Sequence, residues 1–191
     1  SLRIDLENNI KAQQSAGYEK WVTLHNLKQA AKTLNFLTEH GISSYGELES
    51  KLNAVSARRD TAHAEIKRIE SRSAELALVM KHAGTYRQLK PLYDRYRKSN
   101  DKEKFLRGHE SEIILFEAAA RELKRLGAVP LPTTESMKTE LANLSAEKER
   151  LLAEYKAART EAQEYDTVKQ NVDALLTVPK EQEQQRRHEL E

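Results

Sequence analysis

The chain has 191 residues, 38% hydrophobic and 32% charged, with a mean hydropathy of −0.78, a formal net charge of +2 and no cysteine. Disulfides and thiolate metal sites are excluded, which fits a reducing compartment, and no apolar run approaches the roughly 20 residues that span a bilayer, so no membrane insertion is expected. Six glycines and four prolines leave few tight turns, and no alternating β-branched run asks for a strand; the composition reads as long helices.

Residues 1–16 are expected to form a short helix with Leu2, Leu6 and Ile10 on one face, interrupted by Gly17. From Tyr18 to His40 the residues Trp21, Leu24, Leu27, Ala31, Leu34 and Leu37 recur at helical steps. Gly41 follows at the left-handed stop position. Ser44 with Glu47 makes a capping box for the next helix. Its apolar seam runs Leu48, Leu52, Val55, Arg59, Ala62, Ile66, Ile69, Ser73, Leu76, Met80, alternating steps of four and three as heptads do. Gly84 ends the clean pattern.

Next comes a helix with Tyr86, Leu89, Tyr93 and Tyr96, kinked or restarted at Pro91. After Ser99-Asn100-Asp101 another helix carries Ile113, Phe116, Ala120 and Leu123 inward and ends near Leu126-Gly127. A second heptad run starts after Pro130 to Thr134 and reads Met137, Leu141, Leu144, Lys148, Leu151, Tyr155, Ala158, Ala162, Tyr165, Lys169, Val172, Leu176. Pro179 is expected to stop it and leave a polar tail. The closing Leu190-Glu191 resembles a cloning remnant, which would make this an excised piece of a longer protein; no signal peptide is read ahead of it.

Two heptad runs of similar length predict an all-α fold: a long antiparallel helical hairpin, or coiled coil, with a small helical cap at its tip and an N-terminal helix packed at its base. In parts, residues 1–43 pack on the base, 44–85 and 134–178 are the arms, 86–133 the tip insertion, and 179–191 a flexible tail. The register sets Ala62 near Ala158 and Ala162, and Ser73 near Lys148 and Leu151; the arms would be roughly 60 Å long. Trp21 and Phe36 would be buried at the base. A parallel homodimer through each seam is the alternative. Arg59, Lys148 and Lys169 interrupt the seams, either fixing register or simply extending their charged ends to water.

Charge is unevenly spread. Between 81 and 107 nine cations face three anions, a balance of +6, whereas from 134 onward nine cations face thirteen anions, a balance of −4. Basic residues that neutralise phosphates, with aromatic faces for stacking, are what nucleic-acid binding requires. The candidate DNA-binding residues are therefore Arg87, Lys90, Arg95, Arg97, Lys98, Lys102, Lys104 and Arg107, with Tyr93 and Tyr96. The competing expectation is that Tyr86, Tyr93 and Tyr96 are core residues of the cap. No catalytic pattern accompanies them: the six histidines never stand as His-x-x-x-His, and neither a Gly-rich phosphate loop nor a Gly-x-Ser-x-Gly elbow occurs. No enzyme site, metal or other cofactor is expected in this chain.

Several stretches carry a resemblance. Gly17 to Trp21, the run from His25 to Ile42 (HNLKQAAKTLNFLTEHGI), Tyr93 to Lys98, Lys104-Phe105-Leu106, Leu131-Pro132-Thr133 and Asn171 to Leu176 together resemble the region after the nuclease domain in relaxases, the mobilisation nucleases of conjugative elements from Gram-positive bacteria. The first blocks are the most specific; the arms would match many helical sequences. The resemblance implies a bacterial, cytoplasmic protein that nicks DNA through a tyrosine and a histidine-bound metal. Those residues belong to the family's amino-terminal domain, nothing here matches them, and no catalytic residue carries over. It implies DNA and other conjugation proteins, such as a coupling protein, as partners. The alternative function is a structural assembly module, forming a homodimer through its coiled coil without touching DNA.

Overall fold

The computed structural model describes residues 1–15 and 24–188, with side chains over 1–11 and 27–176. Among the described residues the fold is all-helical, with no strand. The helices are α1 (Leu2–Ser15), α2 (Leu24–Glu39), α3 (Tyr45–Lys98), α4 (Lys102–Arg125) and α5 (Thr134–His188). Contacts divide the chain into one unit of Ser1–Ala62 with Ala153–Glu191 and a second of His63–Leu152. The long helices α3 and α5 contribute a segment to each.

In the first unit, α2 ends as its sequence dictates. Gly41 adopts φ +63°, which a side chain disfavours. The amide of Ile42 then donates to Leu37 O at 2.8 Å and that of Gly41 to Thr38 O at 3.2 Å, the double bond pattern that closes orphan carbonyls at a helix end. Ile42 is thereby carried into the core with Leu2, Leu6, Leu37, Leu48, Val55, Ala162, Tyr165, Val168 and Val172. A fully buried leucine among these contributes about 1.5–3 kcal/mol. The amide of Leu2 donates to Ser43 O at 3.0 Å, tying α1 to the turn before α3. At the start of α3 the Glu47 amide donates to Ser44 Oγ as expected, and the Glu47 carboxylate also accepts from the amide and hydroxyl of Ser43. Phe36 is half-buried against the core; the expected burial of Trp21 lies outside the described residues.

Polar side chains also join elements here. Tyr45 donates to Asp173 Oδ1 at 2.6 Å, Asn171 to Thr33 Oγ1 at 3.3 Å, and Lys51 to His40 O at 2.6 Å. Thr33 is 1% exposed and passes its own proton to Gln29 O, so the buried hydroxyl is satisfied in both roles.

The second unit buries Ile66, Ile69, Leu76, Val79 and Ala83 of α3, Ile113, Phe116, Ala119 and Leu123 of α4, and Ala128, Met137, Leu144 and Leu151. Gly127, at φ +70°, ends α4 with the same two-bond pattern, Ala128 to Leu123 O and Gly127 to Lys124 O. Arg72 grips Glu140 with Nε at 2.7 Å and Nη2 at 3.2 Å while also holding Glu75. Lys148 pairs with Glu70 at 3.1 Å.

Both heptad runs leave a clear record in burial. Every seventh residue is buried: Leu48, Val55 and Ala62, then Ile69, Leu76 and Ala83 on α3; Met137, Leu144 and Leu151, then Ala158, Tyr165 and Val172 on α5. The other seam position is weaker. Leu52, Arg59, Ser73 and Met80 are only half-buried, and Val79 is buried in place of Met80. An α-helix drifts about 20° per heptad, so a buried stripe slips to a neighbouring residue. Between the two helices, Lys148 meets Glu70 in the second unit and Arg58 pairs with Glu161 at 3.5 Å in the first.

Three further expectations change. α3 runs through Gly84 and Pro91 to Lys98 without a restart. Pro91 is exposed, so the carbonyl it orphans can turn to water. α5 likewise continues through Pro179 to His188, because a proline removes one bond of the ladder without forbidding helix on either side. α4, conversely, is broken at His109 (φ −140°, ψ 27°), directly after Gly108. In its second half Ala119 is buried and Ala120 only half-buried.

Candidate nucleic-acid interface

The basic residues gather where α3 gives way to α4, within the second unit. The turn is built by short polar side chains. The Ser99 hydroxyl accepts from the Asp101 amide at 3.3 Å, and Asp101 Oδ1 accepts from the Lys104 amide at 3.1 Å, capping α4. A carboxylate thus already occupies the positive end of that helix.

The aromatic residues form a continuous ladder between α3 and α4. Phe116 is stacked on Tyr86 at 4.8 Å and on Tyr93 at 4.2 Å, each at an interplanar angle of 24°. Tyr96 lies 5.9 Å from Tyr93 and 6.0 Å from Phe105, which in turn lies 4.8 Å from the His109 ring. Phe116 is buried and the other rings are half-buried. Tyr93 and Tyr96, candidates for stacking on bases, pack against Phe116, Phe105 and each other.

The cations separate into two groups. Arg87 donates to Thr134 Oγ1 at 2.9 Å and to Pro132 O at 2.5 Å, fastening the loop before α5. Lys90 is clamped by both oxygens of Asp94 at 2.8 and 3.1 Å, and that hydrogen bonding raises its pKa, keeping a charge that is already neutralised. The side chains of Arg95, Arg97, Lys98, Lys102, Lys104 and Arg107 are exposed and make no ion pair or hydrogen bond among the described residues. Steps of three and four put Arg87, Lys90, Asp94 and Arg97 along one stripe of α3, whereas Arg95 falls on another face.

Along that stripe opens a shallow groove of about 470 Å³, floored by Tyr86, Tyr93 and Phe116. Its rims carry Lys90, Asp94 and Arg97 from α3 and Glu117 and Arg121 from α4. Arg121 and Glu117 escaped the sequence reading because they lie beyond the basic stretch. The signal was available: both sit beside the inward positions Phe116 and Ala120, where a helix flanks its own packed face. Among the described residues no group of three or more His, Asp or Glu side chains is placed to hold a metal ion. Nor is any helix there long and apolar enough to cross a membrane.

Comparison of the chain with protein-family models, with curated proteins and with solved structures finds no match.

Proposed function

We propose that this chain is the non-catalytic carboxy-terminal helical region of a DNA relaxase, acting in the bacterial cytoplasm to support conjugative transfer by binding DNA. The observation that carries the DNA part is the set of six exposed, unpartnered cations from Arg95 to Arg107 around the α3–α4 turn. Cations left in water at a turn are free to neutralise phosphates and release counterions. The relaxase part rests on the resemblance of the Gly17–Ile42 region and the shorter blocks after it. In this reading strand nicking belongs to a separate nuclease domain, and this chain retains the strand near it, alone or with a coupling protein. The arms α3 and α5 are read as one antiparallel coiled coil. Seven-residue burial supports this, and so do the ion pairs within each unit, whose α5 partner falls in number as the α3 residue rises.

The test is a salt titration of DNA binding by the 191-residue chain, read by fluorescence anisotropy. Affinity should fall steeply with salt, and absence of binding at low salt removes the DNA part.

A second reading, an assembly module without DNA contact, is favoured by one feature. The heptad stripes are used up within the chain, but Ile114 and Leu115 of α4 stand 54% and 55% exposed, side by side. Sedimentation separates the readings. A concentration-dependent dimer dissolved by Ile114→Glu, with no DNA binding, would favour assembly.

A further inference from the structure

Resting on the nucleic-acid reading above, we propose that the α3–α4 turn takes duplex nucleic acid, gripped by its phosphates, in preference to single strands. Proteins that hold single strands pair a basic groove with open aromatic faces, and each stacked base contributes strongly to their affinity. This turn has the cations, but its rings are taken up with one another: Phe116 stacks on Tyr86 and Tyr93, and Tyr96 sits between Tyr93 and Phe105. The groove floored by Tyr86, Tyr93 and Phe116 also carries Asp94 and Glu117 on its rims, which repel a strand's phosphates. To offer a ring to a base, the cap would have to give up its own aromatic packing.

The charge that remains suits a dense phosphate array. Six cations on long flexible stems occupy the last turn of α3 and the first two turns of α4. Asp101 already satisfies the amide end of α4, so side chains and not the helix terminus must meet the phosphates. A duplex presents one charge per roughly 1.7 Å of its axis, against about one per 3.4 Å for a single strand of that geometry. The same six cations therefore release more counterions on a duplex. Arg87 and Lys90 take no part, being held by Pro132, Thr134 and Asp94.

The experiment titrates the full chain against a labelled duplex and against each of its separated strands, over a range of salt concentrations. The expected result is duplex binding at least about tenfold tighter at low salt, with log K falling against log salt at a slope of about −3 to −5. Lys98→Gln or Lys104→Gln should each reduce that slope by about one, alike for all sequences. Equal or tighter binding to single strands would overturn the duplex preference while leaving DNA binding in place. Binding to neither form would remove the underlying reading itself.

Discussion

The two units use one construction principle and end with different surfaces. Each buries every seventh residue of its α3 and α5 segments, and each closes a helix with a left-handed glycine, Gly41 in the first and Gly127 in the second. In the first unit, key polar side chains are committed across elements, Tyr45 to Asp173, Asn171 to Thr33 and Lys51 to the His40 carbonyl, and Lys169 holds Asp173 from one turn back on α5 at 3.2 Å. Hydrogen bonding from Tyr45 and then Asp173 raises the Lys169 pKa. In the second, the core and the α3–α5 ion pairs are as well satisfied, but six cations are left over at the α3–α4 turn. The same helical scaffold thus ties polar side chains from one element to another in one region and gathers a run of unpaired cations at a single turn in the other.

The largest expected effect attacks that surplus. The triple variant Arg95→Glu, Arg97→Glu, Lys98→Glu should lower DNA affinity by roughly a thousandfold at low salt with its circular dichroism unchanged. Arg87→Gln should mainly loosen the loop at Pro132. If Arg87→Gln weakens binding as much as the triple variant, the division of the cations is wrong.

Core truncation probes the units separately. Leu48→Ala in the first and Leu76→Ala in the second, 0% and 2% exposed, should each cost about 2–5 kcal/mol in denaturant unfolding. Hydrogen exchange should show each loss concentrated in the unit that carries the change. Uniform loss throughout the chain would mean that α3 and α5 couple the units into one cooperative body.

Smaller effects follow at the polar contacts. Tyr45→Phe removes the 2.6 Å bond to Asp173 and should cost about 1 kcal/mol. Gly41→Ala meets no atom within 4 Å, so its cost is that of a left-handed backbone alone, about 1 kcal/mol. Gly127→Ala should behave alike, and a clear disparity between the two would show that one turn carries additional load.

The smallest effect concerns acid. The Ser43 amide holds Glu47 below the usual carboxylate value, and Lys67 with Lys148 does the same for Glu70. Depressed folded-state values mean stability present above the unfolded-state pKa and lost as pH falls through the folded one. The window therefore lies on the acid side of 4.5. Glu47→Gln should flatten that part of the stability–pH curve, measured by urea unfolding.

Helices α1 and α2, the glycine stop at Gly41 and the seven-residue stripe were legible because local spacing encodes them. The restart allowed for at Pro91 and the stop expected at Pro179 do not occur, for a physical reason. A proline's cost is local, whereas the helices it sits in continue for many turns on both sides. The break at His109 carried a faint signal in Gly108 beside it. The candidate interface was half legible: the surplus of positive charge could be counted, but not which cations the fold would claim. Arg87 is taken by a carbonyl 45 residues away and Lys90 by a carboxylate one turn on.

By itself the amino-acid sequence determined the helical class, the buried stripe and the place where charge collects, because periodicity and composition act over a few turns. That Tyr86, Tyr93 and Tyr96 turn inward was one of two expectations; tertiary structure alone decided that their partners are Phe116, Phe105 and each other, and which cations stay in water. Those partners come from separate helices, and no spacing along one helix names them.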